Sequence, residues 1–89
     1  MSHKSEIKNK RLFEVLRILS NEFRFKILEL TQDSEQTISK LSSKIGLSYN
    51  KCSDYVRLLE NKKLVEKIRK GKNVYVKSKI SLSNNWLKI

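Results

Sequence analysis

The sequence predicts a mainly α-helical domain finished by a small β-hairpin. Apolar residues recur at three-to-four spacing from Ile7 to the neighbourhood of Asn61, and from Leu64 the period changes to two. Charge follows the same division. Residues 1–26 hold seven bases and three acids, 27–61 four and five, 62–79 eight and one, and 80–89 one base, so the net contributions are +4, −1, +7 and +1 of a total of +11. The alternating segment is therefore also the most basic. At 89 residues the chain has room for a single domain, 1–89, with one core.

Taking the elements in order, Ile7, Leu12, Phe13, Val15, Leu16, Ile18 and Leu19 lie in a stretch without Gly or Pro, which predicts a helix over about 5–19. Its second half is apolar on more than one face, so it needs cover on both sides, and Leu12, Val15 and Leu16 are candidates for a dimer interface. Ser20 or Asn21 caps a second helix carrying Phe23, Ile27, Leu28 and Leu30, which ends in the polar turn between Thr31 and Ser34. Thr37 and Ile38 are expected to be extended, with Ser39 capping a short helix that carries Leu41 and Ile45 and stops at Gly46. Only Leu47 separates that glycine from Ser48, the cap of the next helix, 48–62. Two runs follow, Leu64-Val65-Glu66-Lys67-Ile68 and Val74-Tyr75-Val76-Lys77, joined by Arg69-Lys70-Gly71-Lys72-Asn73, and together they read as a hairpin over 64–78. A last short helix is expected over 81–89, with Trp86 as a dimer or core anchor.

Within 48–62, Cys52, Tyr55, Val56 and Leu59 share one side at 100° per residue, which leaves Asn50, Ser53, Asp54, Arg57 and Asn61 on the other. A short helix, a glycine turn, a polar-faced helix and a basic hairpin in direct succession suit a DNA duplex. A helix fits the major groove, where its N-terminal residues reach base edges. That makes Tyr49, Asn50, Lys51, Ser53, Asp54 and Arg57 the candidate reading face. Arg can pair with guanine and Asn with adenine, while Asp can accept from cytosine or orient Arg57. The hairpin residues Arg69, Lys70, Lys72 and Asn73 are candidates for phosphate or minor-groove contact, supplying affinity rather than sequence choice. Lys62, Lys63 and Lys67 are weaker candidates, because lysines near a helix end also serve to complement its dipole.

Beyond this constellation the residues point to packing. Cys52 falls on the inward side of its helix, where a free cysteine acts as a small hydrophobe, and a lone cysteine forms no internal disulfide. His3 and Cys52 are separated by most of the chain and make neither a metal site nor a nucleophile–base pair. No glycine-rich loop precedes a helix, and the acids are spread singly. No enzymatic activity, metal or cofactor is expected. Charges interrupt every apolar cluster from Ile7 to Phe25, which argues against a secretory leader or a membrane partner and for an intracellular, nucleoid-associated protein.

The stretch from Leu19-Ser20-Asn21-Glu22-Phe23-Arg24-Phe25-Lys26-Ile27-Leu28 through Ile38-Ser39-Lys40-Leu41-Ser42-Ser43-Lys44-Ile45-Gly46-Leu47-Ser48, with Val56-Arg57-Leu58-Leu59-Glu60 and Leu64-Val65, resembles winged helix-turn-helix transcriptional regulators of the arsenic-repressor-like (ArsR-like) superfamily. It is also similar to small archaeal and archaeal-virus regulators. The resemblance spans roughly residues 12–78. It implies a homodimer built from the terminal helices, the helix after Ser48 in the major groove, and the hairpin as the wing. The segment leading into Leu41 lacks the cysteine pair of the metal-sensing members. The reading is thus a sequence-specific regulator bound to double-stranded DNA as a homodimer. Two alternatives differ in class: a low-specificity, chromatin-like DNA coat, marked by binding without a preferred site, and a winged-helix module that contacts protein, marked by failure to bind DNA at moderate salt.

Overall fold

The computed structural model describes residues 3–82, with side chains from Lys10 onward. Among the described residues the chain forms four helices and a three-stranded antiparallel sheet: α1 (His3–Leu19), α2 (Glu22–Leu30), β1 (Gln36–Thr37), α3 (Ile38–Ile45), α4 (Tyr49–Asn61), β2 (Val65–Lys70) and β3 (Asn73–Ser78). The fold class is the one the sequence predicts, a winged helix-turn-helix.

Side-chain caps set the helix starts. The Asn21 carboxamide oxygen accepts from the amides of Phe23 and Arg24 at 2.9 and 3.1 Å, and the Ser48 hydroxyl accepts from the Lys51 amide at 3.1 Å. Each bond satisfies an N–H that the helix itself leaves without a partner. Gly46, at φ 85°, ends α3 in the left-handed region, and its amide and that of Leu47 both donate to the Ser42 carbonyl. The α3–α4 pair is thereby joined through Gly46, Leu47 and Ser48.

Three local expectations are corrected. Thr37, not Ser39, caps α3: its hydroxyl accepts from the Lys40 amide at 3.2 Å, and Ile38 is already helical. A strand's last residue and a helix cap share the same extended backbone, so Thr37 serves as both. The second correction concerns the sheet, which has a third strand. β1 pairs with β3, Gln36 opposite Val76 and Thr37 opposite Tyr75, so the order is β1-β3-β2 and the hairpin is braced on one side. Third, the hairpin loop is shorter than expected. Lys70 pairs with Asn73, which puts Arg69 and Lys70 in β2, Asn73 in β3, and leaves a two-residue turn of Gly71 and Lys72. The positive φ of 62° falls on Gly71, where a type II′ turn needs its glycine. Ser81 and Leu82 are not helical, and the rest of the expected 81–89 helix, Trp86 included, lies outside the described residues.

One core joins these elements: Ile18 from α1, Ile27 and Leu28 from α2, Ile38 and Leu41 from α3, Cys52, Val56 and Leu59 from α4, then Leu64, Val65 and Val76. Truncating a fully buried member such as Leu28 or Leu41 to Ala costs about 2–5 kcal/mol. Thr31 is buried with them, and its hydroxyl donates to the Ile27 carbonyl at 2.8 Å while its own carbonyl accepts from the Ser78 amide. At the end of α4, Lys63 takes φ 62° and the Leu64 amide donates back to the Leu59 carbonyl at 2.9 Å, a Schellman closure built on a residue with a Cβ.

Candidate nucleic-acid interface

α4 turns its apolar side inward, with Cys52, Val56 and Leu59 fully buried, and presents Tyr49, Asn50, Lys51, Asp54 and Arg57 to solvent. Ser53 is half-buried. Tyr49, in the first turn, stays 54% exposed, unusual for an aromatic without a partner. The Arg57 guanidinium donates to the Asp54 carboxylate at 3.2 Å, an i,i+3 pair in which both side chains remain open to water. Asp54 thus orients Arg57, one of the two roles the sequence allowed it. Lys51 sits with its ammonium 5.3 Å from the centroid of the Tyr55 ring, and Arg24 of α2 lies 5.6 Å from the same centroid. Tyr55 is half-buried, stacked on Phe23, and its hydroxyl accepts from the Asn21 side chain at 3.4 Å. It packs, as expected, and it also steadies Lys51.

The wing approaches the start of α4. Tyr49 and Ser53 from the helix, Lys67, Arg69 and Val74 from the strands, and Ile38 at the base line one open groove of about 400 Å³. This concave surface joins part of the candidate reading face to part of the basic hairpin. Arg69, Lys72 and Asn73 are exposed. Lys70 is less available than the sequence indicates: its ammonium is 2.7 Å from the Glu35 carboxylate and 5.6 Å from the Tyr75 ring centroid. The hydrogen bond to Glu35 raises the Lys70 pKa, so the charge persists but has a partner. Among the weaker candidates, Lys67 pairs with Glu60 at 3.4 Å and Lys62 with Glu14 at 2.9 Å. Sequence reading missed Glu35, which stands 35 positions from Lys70 and carries no local signal. Among the described residues, no three His, Cys, Asp or Glu side chains cluster to hold a metal ion, and no helix is long and apolar enough to cross a membrane.

Residues 20–66, from the start of α2 into β2, match the family model described as winged helix-turn-helix DNA-binding. The chain belongs to that family. No curated protein matches it in sequence. Its winged helix-turn-helix fold recurs in solved structures. Reduced HlyU from Vibrio cholerae superposes with a TM-score of 0.81 at 24% identity, covering 90% of this chain and 84% of that one. NolR from Sinorhizobium fredii gives 0.75 at 24%, covering 99% and 85%. A homodimeric winged helix-turn-helix DNA-binding domain from Mycobacterium bovis, described as a possible ArsR-family transcriptional regulator, gives 0.73 at 23%, covering 88% and 72%. At these identities the likeness concerns the winged-helix fold. All three structures are bacterial, and they lend nothing to the archaeal side of the resemblance.

Proposed function

We propose that this winged-helix chain is a homodimeric, sequence-specific regulator of transcription that acts inside the cell on nucleoid DNA. α4 enters the major groove with Tyr49, Asn50, Lys51, Ser53, Asp54 and Arg57 toward the base edges, and Arg69, Lys70, Lys72 and Asn73 of the wing meet the backbone or the minor groove beside it. The observation that carries this reading is the shared groove in which Tyr49 and Ser53 of α4 face Arg69 of the wing. One duplex docked there meets both sets of side chains. Of the proposed base-reading residues all but the half-buried Ser53 are exposed, and the surrounding excess of lysine and arginine supplies the sequence-independent attraction.

The dimer part of the reading rests on α1. Leu12, Phe13 and Leu16 are 56%, 65% and 51% exposed, an apolar strip on a helix whose other side is committed to the core through Ile18. Val15 is half-buried and packs on its own core, so the strip runs through Leu12, Phe13 and Leu16. A homodimeric state is described for the Mycobacterium bovis domain, which supports a homodimer here. A second copy related by a two-fold axis would cover this strip and present two α4 helices to successive turns of one DNA face.

The test is selection of duplexes from a randomised library by the purified protein, with sequencing of what is retained at two salt concentrations. Enrichment of a motif with two-fold symmetry is the expected result. Retention without enrichment, falling steeply with salt, would replace this reading with a low-specificity DNA coat, and no retention at moderate salt would leave a protein-binding module.

A further inference from the structure

At the junction of α1, α2 and the end of α4, on a different part of the surface from the α4–wing groove, Glu14, Arg17, Ile18, Arg24 and Lys62 line a cleft of about 250 Å³. Three cations face one carboxylate there. Glu14 is already engaged, 2.9 Å from the Lys62 ammonium and 3.6 Å from the Arg11 guanidinium, and the Lys62 hydrogen bond holds its carboxyl below the usual carboxylate range. Lys62 is held in turn, because the Arg11 guanidinium donates to its carbonyl at 3.0 Å. Among the described residues neither Arg17 nor Arg24 meets a carboxylate.

Arg24 is the informative member. Its Nε is shut off from solvent and finds no acceptor in the protein, and the charge is faced by the Tyr55 ring instead of an anion. A buried donor on a charged group without an acceptor is costly, and such a group calls for an explanation in the site's chemistry. With Nε enclosed, the N–H donors that a ligand in the cleft can meet are those of the two Nη groups, and such a pair matches two oxygens of a phosphate or similar oxyanion.

We infer that this cleft is a phosphate-binding site, with Arg24 and Arg17 as the anion's ligands and Lys62 contributing charge at its rim. Glu14 fixes Lys62 in place, and its own negative charge is taken up by Lys62 and Arg11, which leaves Arg17 and Arg24 to set the sign of the cleft. The phosphate belongs either to a small molecule or to the backbone of a nucleic acid, and the chemistry of recognition is the same for both. Tyr55 connects the cleft to α4, because the ring that receives Arg24 also receives Lys51 in the first turn of that helix.

The DNA-free protein is titrated with inorganic phosphate at constant ionic strength while the arginine Nε–Hε resonances are followed by NMR. The Arg24 signal, identified by its loss in Arg24→Lys, should move and saturate, and Arg17→Gln should weaken binding about tenfold or more. A shift that rises without saturation, or one equal in Arg17→Gln, overturns the site. Arg17 is exposed, so that variant remains informative even if Arg24→Lys folds poorly. A short duplex of arbitrary sequence then separates the two sources: if it moves the same resonance and phosphate competes with it, the ligand is the backbone, and if it leaves the resonance in place, the ligand is a small phosphate-bearing molecule. The phosphate titration contains no DNA, so its outcome is independent of whether α4 reads bases.

Discussion

The Lys70 ammonium lies 2.7 Å from the Glu35 carboxylate, tying the wing strand β2 to the segment that leads into β1. A cation proposed to meet phosphate is therefore already paired within the protein, and any phosphate contact by Lys70 competes with that pair.

Glu35→Gln should release Lys70. Exposed ion pairs contribute about 0–1 kcal/mol, so affinity for any duplex should rise by up to about fivefold, with a slightly steeper dependence on salt. Fluorescence anisotropy on an unrelated duplex over a salt series measures both. An unchanged or weaker affinity would mean that Glu35 holds Lys70 where DNA needs it.

Reading and anchoring residues should separate cleanly. Asn50→Ala and Arg57→Ala are expected to cost about 1–3 kcal/mol on the preferred site and little on other duplexes. Lys72→Ala should weaken all duplexes alike and reduce the magnitude of the salt slope by about 0.9. Equal losses on every sequence for both sets would remove base readout from α4. Asp54→Ala belongs to the first group, since it frees Arg57 from its 3.2 Å partner and should relax discrimination at the base Arg57 meets.

Lys63→Gly should stabilise the fold. Lys63 occupies the left-handed region at φ 62°, where a Cβ costs about 1–2 kcal/mol and glycine has none. After the greater unfolded-state freedom of glycine is subtracted, a gain of about 0.5–1 kcal/mol is expected, or a few degrees in Tm for a domain of this size. Urea denaturation of the two proteins provides the comparison.

Cys52 should be inert in the native state. It is fully buried, and burial pushes its thiol pKa up, so little thiolate exists at neutral pH and a reagent has no path to it. Labelling by a thiol-reactive dye should proceed only as fast as the protein unfolds, accelerating with denaturant. Rapid labelling in native buffer would contradict the packing around α4.

Much of this architecture is legible in the residues because short-range physics determines it. Ser48 caps α4, Gly46 closes α3, and the three-to-four spacing of Cys52, Val56 and Leu59 assigns the buried side of α4, all within a few positions of one another. What escapes is either too short to have a period or too distant to have a local cause. β1 is two residues long, and nothing in Gln36 and Thr37 alone indicates pairing with Val76 and Tyr75. The hairpin loop is shorter than its composition suggests, because the polar residues of Arg69–Asn73 look like turn residues whereas cross-strand pairing carries the ladder as far as Lys70 and Asn73. For the candidate interface, residue identities are readable but their availability is not, since Glu35 and Glu60 reach Lys70 and Lys67 only through the fold.

Thr37 ends β1 and caps α3, and through β1 it is paired to Tyr75 of the wing. The wing's root and the first residue of the helix-turn-helix are thus one anchorage. Any tilt of the hairpin near its base pulls on the α3 start, and beyond the Thr37 pairing the Lys70–Glu35 ion pair ties β2 back to the same segment, so only the Gly71–Lys72 turn lies past both ties. A wing that meets a DNA backbone as proposed therefore has its root and most of its length set by the helix-turn-helix, and only the turn at its tip is left to follow the curvature of the duplex.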